Sequence, residues 1–252
     1  MKGLVIKDLL CMKKQIVIFT YTVITVFIVA IMFVLSAKFG NIALANNEML
    51  QDNSISEIDI QNMMIWTLIG VMLVPIAAIG DFTNLFKADN KAGFSMVSAS
   101  LPLSREKRLF AKYITVILVF SIGIVIDLIV AFVLSMLTDM VSFFDFCGII
   151  LSMASIMMMV GALSIFFALL LEKGEEEYAT LLSAFFLIIV AVLFNYSKIK
   201  MFILEDGSSD MFNDFVDFFI DKSYVFIIFA VITIVLSYVA SLAVANRKRG
   251  II

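Results

Sequence analysis

Six apolar runs, at about 16–35, 63–80, 113–137, 146–171, 178–194 and 224–245, restrict this chain's fold more than any other feature. A helix rises about 1.5 Å per residue, so about 20 apolar residues carry it across a hydrocarbon layer about 30 Å thick. Membrane strands alternate in polarity and are about half that length, so continuous runs of this kind specify helices. The chain also lacks the polar residues needed to coat a soluble core. Of its 252 residues 63% are hydrophobic, with 25 Phe, 16 Met and a mean hydropathy of +1.10. The first run is too long, and too close to further runs, for a removable signal peptide. The expected fold is all-α and integral to the membrane, one transmembrane domain over 1–252 with six spans.

Sidedness follows from Lys and Arg. With the N-terminus in the cytosol, the inner segments hold Lys2, Lys7, Lys13, Lys14, Lys87, Lys91, Arg105, Lys107, Arg108, Lys112, Lys173, Arg247, Lys248 and Arg249. The outer segments hold only Lys38, Lys198, Lys200 and Lys222. This bias places both termini of a multi-pass chain in the cytosol. The formal net charge of −3 therefore hides a basic inner side and an acidic outer one.

Two short amphipathic segments flank the spans. Over 1–15, Val5, Leu9, Met12 and Ile16 recur at helical spacing, with Lys7, Asp8, Lys13 and Lys14 on the polar side. This pattern predicts a helix on the inner membrane surface or, more simply, the basic flank of the first span. Before the last run, Asp210, Asp214, Asp217 and Asp221 fall on one helical face, opposite Met211, Phe212, Phe215, Phe218 and Phe219. A short outer amphipathic helix is expected there, either a solvated acidic rim or a surface for cationic cargo. Ser54 and Glu57 have capping-box spacing ahead of the second run, and Pro75 predicts a kink within it.

The residues needed for catalysis are scarce. There is no His, no Gly-rich phosphate-cradling loop and no metal-ligand spacing, and Cys11 and Cys147 belong to opposite membrane surfaces. No catalytic residue, bound cofactor or metal is expected in this chain, and its basic loop has too few aromatics for nucleic acid. Asp127 is the one ionisable residue deep within a span. It either lies buried and neutral against a Ser or Thr, lines a transport path, or serves a contact between subunits.

The segment 81–112 between the second and third runs is the long polar loop on the basic side, and carries six of the eighteen basic residues. Pro102 breaks it, Ser104 is placed to cap a following helix, and 106–112 leads into the third span. Phe94, Met96 and Val97 form an apolar knob in polar surroundings. Ala88-Asp89-Asn90-Lys91-Ala92-Gly93-Phe94, then Ser100-Leu101-Pro102-Leu103-Ser104-Arg105 and Lys112-Tyr113, resemble the type-2 ATP-binding-cassette (ABC) exporter permeases. The opening Met1-Lys2-Gly3-Leu4-Val5-Ile6-Lys7-Asp8-Leu9 resembles the same family's N-terminus.

The resemblance implies a permease that works as a dimer of six-helix halves, same or homologous, each seated on a cytosolic ABC ATPase subunit that binds ATP and Mg. It implies that 1–15 is an elbow helix lying against membrane lipid. It also implies that the 81–112 loop forms a coupling helix, with Asp89, Phe94, Met96 and Val97 as contacts to the ATPase. The short Phe-rich form is similar to exporters of phenol-soluble modulins and other antimicrobial peptides. A non-transporting membrane sensor or immunity protein that binds a peptide is the competing reading. An intramembrane enzyme is disfavoured by the missing His. The acidic connector 172–177 has no assigned role.

Overall fold

The computed structural model describes residues 2–39, 85, 86, 89, 104–137, 142–171, 175–194 and 218–247. The run at 63–80 with Pro75, the Ser54/Glu57 pair, the Phe94, Met96 and Val97 knob, and Asp210, Asp214 and Asp217 all lie outside the described residues. The regular elements among the described residues are helices, and no strand occurs among them. They are α1 (Lys2–Cys11), α2 (Lys13–Phe39), α3 (Arg105–Leu137), α4 (Phe143–Leu170), α5 (Tyr178–Phe194) and α6 (Ser223–Arg247). α2, α3, α4 and α6 are long and apolar enough to cross a membrane, whereas α5, with 17 residues, is apolar but shorter.

Helix boundaries follow local chemistry. Ser104 precedes α3 and its hydroxyl accepts the Lys107 amide at 3.4 Å, as the loop sequence predicts. Ser142 caps α4 by accepting the Asp145 amide at 3.2 Å. Such caps satisfy amides that have no partner within the helix. At 33 residues α3 is about 50 Å long, well beyond a hydrocarbon layer of about 30 Å. Its first turns, bearing Arg105, Glu106, Lys107, Arg108 and Lys112, therefore extend past the apolar part and form a charged end to the bundle.

α4 is the hub of the bundle, since α3, α5 and α6 all pack on it. Lipid is as apolar as Leu, so helices associate in a membrane through close packing, which favours small residues. α4 supplies Gly148, Ser152, Ala154, Ser155, Gly161, Ala162, Ser164 and Ala168, all buried. The closest approach is at Gly148, where an added Cβ would stand 3.0 Å from the Ile220 Cα. Ser152 donates to the Phe219 carbonyl at 2.6 Å, so α4 holds the helical turn at 218–221 against itself. Phe219 there is buried and stacks on Phe226, while Asp221 is exposed. α6 turns the other way, with Ile228, Val231, Val235 and Leu236 more than half exposed, a surface suited to lipid.

The apolar interior forms two clusters stacked along the bundle. The first joins Met12 and Phe19 to Leu85, Leu109, Tyr113, Val116, Val119, Phe120, Ala162, Ile165 and Leu169. The second joins Ala30 and Val34 to Val130, Ala131, Leu134, Phe146, Ile150 and Ala154. Met157 packs against both. On α3 the buried residues between the two clusters are Gly123 and Asp127.

Candidate functional site

The charged end is organised by four side chains from three parts of the chain. The Lys7 ammonium lies 2.9 Å from Asp8 Oδ1 and 2.6 Å from Asp89 Oδ1. The Lys112 ammonium lies 2.7 Å from Asp89 Oδ2 and 4.0 Å from Asp8 Oδ1. Among the described residues two cations and two anions thus form an interlocked set. Lys112 also donates to the Leu85 carbonyl at 3.3 Å and sits 4.6 Å from the centre of the Phe86 ring.

Burial makes this set strong. The side chains of Asp8, Lys112 and Asp89 are 3%, 8% and 14% exposed, so water competes little for them. A buried charge is tolerable only when its partners are in place, and removing one partner strands the rest. Burial acts to raise the Asp89 carboxyl, but the Lys112 charge and hydrogen bonds from Lys112 and Lys7 outweigh it. Asp89 is therefore held below the usual carboxylate value. Burial likewise acts to lower Lys7, and its bonds to Asp89 and Asp8 more than offset this, holding the ammonium above its ordinary value.

The set joins α1, the Leu85–Phe86–Asp89 stretch and α3. On α1 the sequence pattern puts Asp8 on the polar side, yet it is that helix's one buried residue. The reason is electrostatic: its inward direction meets two ammonium groups instead of hydrocarbon. Ile6 and Leu10 are left outside, 57% and 66% exposed. Asp89 alone was a sequence-level candidate in this set, and Lys7, Asp8 and Lys112 were missed. Asp8 is the single acid among Lys2, Lys7, Lys13 and Lys14, and Asp89 falls between Lys87 and Lys91. A lone acid in a basic stretch was the available signal.

Next to this set, a polar joint fixes α3 to α4 and α6. The Tyr113 hydroxyl lies 2.7 Å from Ser237 Oγ and 3.0 Å from Ser241 Oγ, and Ser237 donates to the Ala162 carbonyl at 2.7 Å. Tyr238 meets the Tyr113 ring edge-on at 5.5 Å. Arg105 donates to the Ala245 carbonyl at 3.1 Å, satisfying an acceptor near the end of α6. The start of α3 is thereby tied to α1 on one side and α6 on the other.

Of the remaining candidates, Asp127 is 1% exposed and its Oδ2 has no hydrogen-bond partner. The structure does not bring it together with Asp89 or with Asp221. Among the described residues no group of three or more His, Cys, Asp or Glu could hold a metal, and Cys11 and Cys147 are both free.

Compared with known protein families, residues 54–248 match the ABC-2 family transporter protein, a region well over half of the chain. The chain belongs to the ABC-2 transporter family. The ABC-2 permease is the membrane component of such a transporter and not itself an ATPase, and an ABC ATPase is its general partner. The match takes in α3 to α6 together with Asp89 and Lys112, and it begins beyond Lys7 and Asp8 on α1. No curated protein and no solved structure was found to match the chain.

Proposed function

We propose that this permease is one half of a dimeric, six-span exporter, driven by a cytosolic ATPase, in a bacterial plasma membrane. The ion-paired set at the charged end carries this reading beyond the family. A movement imposed on the 81–112 loop would reach α1 and α3 together, because Asp89 grips a lysine from each. Phe94, Met96 and Val97 supply the apolar contacts to the ATPase, and Asp89 joins the same loop to α1 and α3. α1 is the elbow helix, with Ile6 and Leu10 in lipid and Lys7 and Asp8 turned inward. ATP and Mg are bound by the partner subunit, whose closure drives the spans between inward and outward access.

The cargo class is amphipathic: peptides such as phenol-soluble modulins, drugs or lipid-like compounds. Support comes from the chain's 16 Met, whose adaptable side chains take varied apolar shapes. Asp210, Asp214, Asp217 and Asp221 form the acidic outer rim at which cargo is released. The sensor or immunity reading gains no observation of its own.

The test is coupling in the reconstituted complex. Phe94→Asp is expected to abolish cargo-stimulated ATPase activity by loosening the ATPase from the permease, while leaving membrane insertion and the ATPase's own basal hydrolysis intact. Undiminished stimulation in that variant would remove the loop from the coupling path.

A further inference from the structure

The seam between the two apolar clusters has no role in the coupling just described, and it holds a buried acidic side chain with an unpartnered oxygen. Asp127 lies on α3 about 15 Å from the nearer end of the helix, deep within the apolar stretch. It is 1% exposed, so lipid does not reach it, and its Oδ2 has no hydrogen-bond partner. Among the described residues the hydroxyls of Ser121, Ser152 and Ser155 donate to the backbone carbonyls of Ile117, Phe219 and Leu151, and not to Asp127. Among the described residues no Lys or Arg is paired with it, and the membrane's own cost for an acid at this depth is substantial.

A carboxylate kept in such a place without a partner calls for one that comes and goes. The surroundings indicate what that partner is. On α3 the buried residue one turn before Asp127 is Gly123, which places no side chain beside it. On α4 the residue that packs against both clusters is Met157, followed by Met158 and Met159, and thioether chains re-pack around irregular apolar shapes. One acidic side chain among adaptable apolar groups suits a ligand with a single positive charge shielded by hydrocarbon. A metal ion would need several ligating groups at one point, and an anionic ligand would be repelled.

We infer that Asp127 and the seam around it form a binding site for the cationic group of lipophilic cargo. The site is closed in the state described, and it opens when the two clusters part at Met157. This rests on the exporter reading for its biological use, because it narrows that reading's cargo to lipophilic cations. The binding itself requires neither ATP nor the partner.

The test uses the full-length chain in vesicles, with protein-free vesicles as the baseline and no ATPase present. Tetraphenylphosphonium and tetraphenylborate have the same shape and opposite charge. Wild type is expected to bind the cation saturably and the borate no more than the baseline. Asp127→Asn should weaken cation binding by about tenfold or more, since a desolvated charge contact is lost, while Asp127→Glu should retain it within about threefold. Equal binding of the cation by wild type and Asp127→Asn would overturn the assignment, as would saturable binding of the borate at the same site. A wild-type chain that binds neither probe would overturn it too. Co-purification of the ATPase is scored separately, so loss of the site and loss of the exporter reading are told apart.

Discussion

The charged end and the mid-membrane seam answer the same problem, polar groups out of water, in opposite ways. At the charged end Lys7, Asp8, Asp89 and Lys112 neutralise each other, and every contact crosses between elements or braces one that does. At the seam Asp127 is more deeply buried than Asp89 and its Oδ2 has no partner. The first arrangement holds separate segments as one body, as transmission of movement requires. The second leaves an acidic oxygen without a partner, the feature on which the proposed cation site rests. The contrast teaches that burial alone does not assign a role to a charge; the presence or absence of its partners does.

The sharpest way to break this contrast is to remove one ion from the charged end. Lys112→Met leaves Lys7 to balance both Asp89 and Asp8, one buried negative charge too many, and should cost about 3–5 kcal/mol in reversible SDS–urea unfolding. The double variant with Asp89→Asn should recover part of that loss, because the orphaned charge is gone. A single variant as stable as wild type would mean that the set is not a structural joint.

Gly148→Ala probes the hub at the far end. Its new Cβ would stand 3.0 Å from Ile220 Cα, and backbone must yield, so a loss of about 1–3 kcal/mol is expected in the same assay. Tyr113→Phe removes the hydroxyl shared by Ser237 and Ser241, but Ser237 keeps its bond to Ala162. The expected cost is about 0.5–1.5 kcal/mol, typical of one interhelical hydrogen bond in a membrane.

The pH dependence has a definite sign. The Asp89 carboxyl is depressed when folded, so its contribution is full above the unfolded value near 3.8 and is lost as pH falls through the lower folded value. Lys7 is raised, so its contribution is full below 10.5 and is lost as pH rises through the higher folded value. The stability gap between wild type and Asp89→Asn should therefore stay level from about pH 5 to 9, and shrink in strong acid below 3.8 and again in base above 10.5. A gap that changes near neutrality would mean that other groups govern the joint. The smallest effect belongs to the seam: Asp127→Asn orphans no hydrogen-bond partner at Oδ2 and should cost less than about 1 kcal/mol.

Much of the architecture could be read in the sequence because the membrane imposes a simple rule of length and apolarity. The runs at 113–137, 146–171 and 224–245 lie within α3, α4 and α6 apart from a terminal residue, and 178–194 coincides with α5. Ser104 declared its role by standing just ahead of a helical pattern. The charged joint was harder to read because its members lie far apart: Lys7 and Asp89 are 82 residues apart, and helical periodicity reports only neighbours. The pattern even misdirected at Asp8, since a face that looks polar can be an inner face when cations line it. Asp127 was legible as an anomaly, but its place between two clusters depends on how α2, α3 and α4 pack.

The measurement that bears most directly on the central claim is the composition of the complex drawn from native membranes. The tagged chain would be purified in mild detergent and everything retained identified by mass spectrometry, beside the Phe94→Asp variant. The account predicts a stoichiometric ATPase, with a Gly-rich phosphate-cradling loop, that stays with wild type and is depleted from the variant. A chain that emerges without any ATPase, or one that the variant holds as firmly as wild type, would contradict it.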